Sequence, residues 1–142
     1  MKVEKNIAAA DALMAVFGMK RVTKPRPEMP TEHAEQRVMV AWMEARGWLV
    51  TATAAGVDMG PTQRNRWAQA GGKRGVPDLL SFTPVRGFYG VAVEMKRCKG
   101  GTVSPEQKRW ISWLTACGWL AIVARGADDG IRQIEAALKE TT

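Results

Sequence analysis

Ten residues, Phe88 to Arg97, constrain the fold of this chain more than any others. They read Phe-Tyr-Gly-Val-Ala-Val-Glu-Met-Lys-Arg and are nearly all apolar up to Glu94. A strand that is apolar on both faces belongs in the middle of a sheet covered on both sides. The segment therefore predicts a central strand with other elements packed above and below it. Glu94 and Lys96 break the pattern. Charge in such a strand is costly unless it is paired or put to use.

The flanking segments supply the partners. Thr31 can cap a helix whose apolar face is marked by Val38, Ala41, Trp42, Ala45 and Leu49, with Met39 beside it and Arg46-Gly47 closing it. Trp48 to Thr53 reads as a short strand. Ala54 to Arg74 reads as a loop, with a short helix near Thr62 to Ala70. Asp78 to Phe82 is a second strand, followed by a turn over Thr83 to Gly87 that carries Pro84. Ser104-Pro105-Glu106-Gln107 has the capping serine, first-turn proline and glutamine of a helix start. That helix carries Trp110, Trp113, Leu114 and Cys117 as its apolar stripe and ends at Gly118. Trp119 to Ala124 is a fourth strand, and Asp128 to Lys139 a last helix with Ile131, Ile134 and Leu138 inward. The order α-β-β-β-α-β-α predicts an α/β fold, a small mixed sheet flanked by helices.

Ahead of this unit, residues 1 to about 20 read as an amphipathic helix with Ile7, Ala10, Met14 and Phe17 on one side. Lys2 and Lys5 precede its apolar run, but Asp11 interrupts the run and no cleavage site follows, so no secretory leader is expected. The proline-punctuated stretch Lys24 to Pro30 cannot continue a helix. Residues 1–30 are thus expected to be an appendage or dimerisation arm, and 31–142 the domain proper.

A chain of 142 residues is enough for one domain with a real core. No apolar stretch is long enough to span a bilayer, so no membrane partner is expected. Two cysteines, Cys98 and Cys117, and one histidine, His33, cannot build a closed zinc site. Nothing demands a disulfide, and a reducing cytoplasm is the expected compartment. The net charge is +7 and the pI about 9.9, which favours a polyanionic partner. The basic residues Lys73, Arg74, Lys96, Arg97, Lys99, Lys108 and Arg109 all flank the central strand's charged pair.

Side chains alternate along a strand, so Glu94 and Lys96 project to one face and Val93 and Met95 to the other. Gly90 and Ala92 share the Glu94 face and leave room beside it. Asp78 opens the preceding strand and can approach Glu94 if the two strands pair. Two carboxylates, with the main-chain carbonyl of Met95, would make a hard oxygen site of the kind magnesium or manganese prefers. Such an ion polarises a phosphate oxygen and acidifies a bound water, and Lys96 can orient that water or neutralise developing charge. The chemistry indicated is phosphodiester hydrolysis. The plain alternative is that Glu94 and Lys96 form a solvated pair on an exposed edge. Gln107 has its capping role, and at a helix N-terminus it can also reach a phosphate or a metal-bound water. Glu32 and Glu35 are favourable at a helix start in any case, and either can supply a third carboxylate. Lys108 and Arg109 are candidates for the nucleic-acid backbone. Trp67, in the basic loop, is the tryptophan considered for DNA contact, because Trp42, Trp110 and Trp113 fall on expected core faces.

Gly75-Val-Pro-Asp78, Glu94-Met-Lys96 and Ser104-Pro-Glu-Gln107, preceded by a helix bearing Glu and Gln, resemble the VRR-NUC family of the PD-(D/E)XK nuclease superfamily. The resemblance covers about residues 31 to 138. It implies a restriction-endonuclease-like core and a nuclease dependent on Mg2+ or Mn2+. Stand-alone phage and bacterial members look like structure-specific DNA endonucleases of the Holliday-junction-resolvase kind, acting as homodimers on branched DNA. By the same resemblance the metal carboxylates fall on Asp78 and Glu94, the lysine on Lys96 and the glutamine on Gln107. The helix acid falls on Glu32 from its spacing to Gln36, or on Glu35 from its expected inward face. Lys73, Arg74, Arg97, Lys99 and Lys108 are the expected DNA contacts. The alternative from another class is a DNA-binding module that keeps the fold without turnover. A third, an enzyme on small phosphodiesters, is disfavoured by the missing Gly-rich phosphate loop.

Overall fold

The computed structural model describes residues 28–140 together with Val16 and Gly18. The expected N-terminal helix and most of its proline-rich link lie outside the described residues. The elements run α1 (Glu32–Ala45), β1 (Val50–Ala52), a short 3-10 turn (Ala54–Gly56), α2 (Pro61–Gln69), β2 (Leu79–Ser81), β3 (Val91–Lys96), α3 (Pro105–Ala116), β4 (Leu120–Arg125) and α4 (Ala127–Glu140). The four strands form one sheet in the order β1-β2-β3-β4. The β1–β2 and β2–β3 pairs are antiparallel, while β3–β4 is parallel. A parallel pair needs a crossover, and α3 supplies it. The sheet is mixed and small, as the order of elements predicts.

β3 takes its place because of its composition. Val91 through Met95 are all buried. On one face Val91, Val93 and Met95 join Leu79, Ile122 and Ala124 in a core closed by Met39 and Met43 of α1 and Ile134 of α4. The other face of β3 and β4 lies under α3. α1 and α3 start at side-chain caps. The Thr31 hydroxyl accepts from the Ala34 N–H at 3.1 Å, and Ser104 and Gln107 form a reciprocal capping box. Among the described residues no helix is long and apolar enough to cross a membrane.

Two helix faces depart from the sequence expectation. On α1 the buried row is Met39 and Met43, whereas Val38, Ala41, Ala45 and Leu49 are exposed. The helix is apolar at 38 through 43 without a break, so its periodicity does not select one face. The unbranched methionines fill the uneven gap above the sheet. Trp42 stays half-buried at the margin, edge-on to Trp48 at 5.7 Å with the Arg46 guanidinium 3.8 Å over its ring. On α3 the inward row is Gln107, Ile111 and Leu114, and Trp113 and Cys117 face solvent instead of the core. β1 is also shorter than expected. It begins at Val50, because Leu49 gives its N–H to the Thr83 hydroxyl at 2.7 Å.

Candidate active site

The pleat of β3 sends Glu94 and Lys96 to the α3 face. Glu94 is 2% exposed, and Lys96 is largely covered, its Nζ 3.2 Å from Glu94 Oε1. α3 supplies a second donor to the same oxygen. The Gln107 carbonyl oxygen accepts from the Ser104 N–H at 2.8 Å, and the Ser104 hydroxyl accepts from the Gln107 N–H at 3.2 Å. With its oxygen so engaged, the Gln107 side chain has only its NH2 left, and that group donates to Glu94 Oε1 at 2.5 Å. One residue thus caps the helix and holds the carboxylate.

Asp78 arrives from the other side. It directly precedes β2, whose first residue, Leu79, pairs with Val93. Asp78 Oδ2 accepts from the Met95 N–H at 2.7 Å, taking the place of the next ladder carbonyl. Its own backbone is held by the Thr53 N–H, which donates to Asp78 O at 2.9 Å, and by the Thr53 hydroxyl, which donates to the carbonyl of buried Pro77 at 2.8 Å. Gly75 is needed just upstream. It has φ of 83°, and a Cβ there would sit 2.8 Å from the Gln107 nitrogen. The loop that delivers Asp78 therefore rests on the first turn of the helix that delivers Gln107.

The electrostatics follow from burial. Desolvation pushes the Glu94 carboxyl up to about 7, and the neighbouring Asp78 charge adds to the rise, while Lys96 opposes it. Asp78 is raised for the same leading reason, against the pull of the Met95 N–H and Lys96. The two carboxyls lie close enough for the charge on Asp78 to act on Glu94. Glu94 Oε1 has two donors, whereas Oε2 is buried and without a hydrogen-bond partner. A buried carboxylate oxygen left bare, against a second carboxylate, is a donor set suited to a hard divalent cation. Among the described residues no three His, Cys, Asp or Glu side chains form one ligand group. The side-chain donors are therefore two. Magnesium sites often complete such a set with water and substrate oxygens.

The structure separates the two helix acids that the sequence left open. Glu35 Oε2 accepts from the Ala127 N–H at 2.7 Å and so caps the start of α4. Glu32, half-buried on the first turn of α1, is near enough for its charge to raise Asp78 further. Glu35 is thus engaged at the start of α4, and Glu32 acts on Asp78 through its charge. The Met95 carbonyl belongs to the residue whose N–H Asp78 holds.

The basic residues fall into two groups. Arg97 and Lys99 are exposed on the turn after β3, which the Arg125 guanidinium braces by donating to Gly100 O at 2.6 Å. Lys73, Arg74, Lys108 and Arg109 line a groove on the outer side of α3 with Trp110 and Trp113. Sequence reasoning missed that aromatic ridge, because tryptophans at helical spacing read as core. Trp67, the tryptophan considered for DNA contact, is half-buried with its ring packed over Gly72. Gly75 had a signal, a glycine just ahead of Val-Pro-Asp, but its role shows only when α3 is in place.

Residues 29–128 match the family model of the VRR-NUC domain. A solved structure described as a VRR_NUC domain protein is similar at a TM-score of 0.64, with 24% identity, over 79% of this chain and 91% of its own. That likeness speaks to the fold. No curated protein matches the chain.

Proposed function

The chain belongs to the VRR-NUC domain family, a nuclease-type domain, and from that footing we propose that it is a Mg2+- or Mn2+-dependent endonuclease that hydrolyses phosphodiester bonds in branched, Holliday-junction-like DNA as a homodimer. The observation that carries this reading is the state of Glu94. It is buried, held on one oxygen by Lys96 and Gln107, bare on the other, and within reach of the Asp78 charge. The large majority of buried polar side-chain atoms have a hydrogen-bond partner.

Asp78 and Glu94 would hold the ion, which when bound supplies charge for the phosphate and acidifies a water. The chain's own groups do the rest. The Met95 N–H fixes one carboxylate and Gln107 the other, so neither has to reorganise when substrate arrives. Lys96 directs one N–H to Glu94 and has others for a phosphate oxygen or the attacking water. Glu32 would add negative charge on the Asp78 side of the site. Lys73, Arg74, Lys108, Arg97 and Lys99 take DNA phosphates, fixing position without reading sequence. A homodimer would set two such sites against two strands.

The test is cleavage of a four-way junction, a flap and a linear duplex in Mg2+ or Mn2+, with Lys96→Ala beside the wild type. The variant should lose about 100-fold or more in rate while still binding DNA. A DNA-binding module on the same fold is the second reading, favoured by the fact that among the described residues no third acidic side chain joins the pair. It prevails if the wild type binds all three substrates and cuts none.

A further inference from the structure

α3 has two apolar ridges where a surface helix needs one. The inner ridge, Ile111 and Leu114, packs on the sheet. The outer ridge is Trp110 and Trp113, and Trp113 is 62% exposed. An indole so open to water is uncommon for a residue that buries well. It is also held in place. Trp110 donates its Nε1–H to the Arg74 carbonyl at 2.9 Å, and Trp113 stands edge-on to Trp110 with centroids 5.8 Å apart at 84°. The Trp113 ring therefore lines a groove of about 930 Å³ from a braced position.

The rim of that groove is basic. Lys73, Arg74, Lys108 and Arg109 line it, with Glu106 the one acid in the lining. Glu106 is engaged at the start of its own helix, by its own N–H and by Ser104. The groove and the carboxylate pair lie on opposite sides of the first turns of α3. Gly75, next to Arg74, rests on Gln107, and Trp110 lies three residues beyond Gln107 on the same helix, about 5 Å along its axis.

We propose that this groove binds an unpaired nucleotide of the DNA, with its base stacked on Trp113 and its phosphates on Lys73, Arg74, Lys108 and Arg109. A base inside a duplex has both faces covered by its neighbours, so only an unpaired one can lie on the indole. A second copy of the chain fits less well, because a two-fold contact centred here would set these cations against themselves. The inference rests on the nucleic-acid reading above and deepens it. The substrate would be DNA with unpaired residues beside the cut, as at a flap or an open junction, and fully paired DNA would leave the groove empty.

The test measures binding of the full chain, in EDTA so that nothing is cut, to a labelled oligo-dT and to a blunt duplex of equal length. Trp113→Ala should weaken oligo-dT binding by about 10-fold or more, the range for loss of one base stack, and change duplex binding less than two-fold. Trp113→Phe should recover most of the loss. Trp113 is exposed, so an unchanged thermal melt will show that the variant is folded. Oligo-dT affinity that survives Trp113→Ala overturns the proposal, as does an equal loss on both DNAs. A variant that turns from dimer to monomer by light scattering also overturns it, in favour of a self-association face. A wild type that holds oligo-dT through Trp113 yet cuts nothing would sink the nuclease reading alone. One that cuts duplex while Trp113→Ala keeps full oligo-dT affinity would sink this inference alone.

Discussion

The two faces of β3 share one backbone and have opposite characters. Val91, Val93 and Met95 sit in a dry core closed by Met39, Met43 and Ile134. Ala92, Glu94 and Lys96, offset by one residue, face α3 and carry two charged groups with a bare carboxylate oxygen. The first face gains stability from each atom it buries. The second loses some, since a desolvated carboxylate with an unpartnered oxygen is unfavourable. A costly site of this kind stays rigid because the opposite side of the same strand is well packed. The asymmetry predicts that substitutions on the two faces will separate stability from activity.

The largest effect should come from Glu94→Gln, which keeps the shape and removes the charge. Cleavage should fall by about 100-fold or more, while the ion-free protein becomes more stable at pH 8 by about 2 kcal/mol. The sign follows from the raised carboxyl. Glu94 is pushed up to about 7 in the fold, above the ordinary 4.5, and Asp78 moves the same way. Between those values the folded state holds a proton that the unfolded state has released. This contribution is therefore full below about 4.5 and is lost as pH rises through about 7. Urea unfolding of the ion-free wild type across that window should show the decline, and Glu94→Gln should flatten it. A variant that is destabilised and still cuts would erase the contrast between the faces.

Met39→Ala probes the other face. It should cost about 2–4 kcal/mol of unfolding free energy through the cavity it leaves. The protein that remains folded at low temperature should cut at close to the wild-type rate per molecule. A rate loss as deep as that of Glu94→Gln would mean that the core shapes the site directly and does more than hold it rigid.

Smaller effects should distinguish the acids of α1. Glu35→Gln weakens the acceptor for the Ala127 N–H at the start of α4, and should lower stability by about 0.5–1 kcal/mol with little change in cleavage. Glu32→Gln should leave the melt almost unchanged and lower cleavage, because its charge acts on Asp78. The opposite pattern would return Glu35 to the site.

Much of this was legible because it is local. Ser104, Pro105 and Gln107 lie within one turn, and their cap needs no other element. The alternation that brings Glu94 and Lys96 together is a property of any strand. Placing Asp78 against Glu94 required only that neighbouring strands pair. What escaped depends on contacts distant in sequence. The phase of α1 could not be read where positions 38 to 43 are all apolar. Trp113 looked like core because pattern alone does not show which of two apolar ridges meets the sheet. Glu35 looked inward, and it is; its partner, Ala127, is 92 residues away.

The measurement that bears most directly on the site is calorimetric titration of Mn2+ into the wild type, Asp78→Ala and Glu94→Ala at pH 7, in buffers of different ionisation heat. A shared ion at positions 78 and 94 predicts saturable binding to the wild type with protons released to the buffer, and loss of that binding in both variants. Manganese that binds all three proteins alike, or none of them, would contradict it.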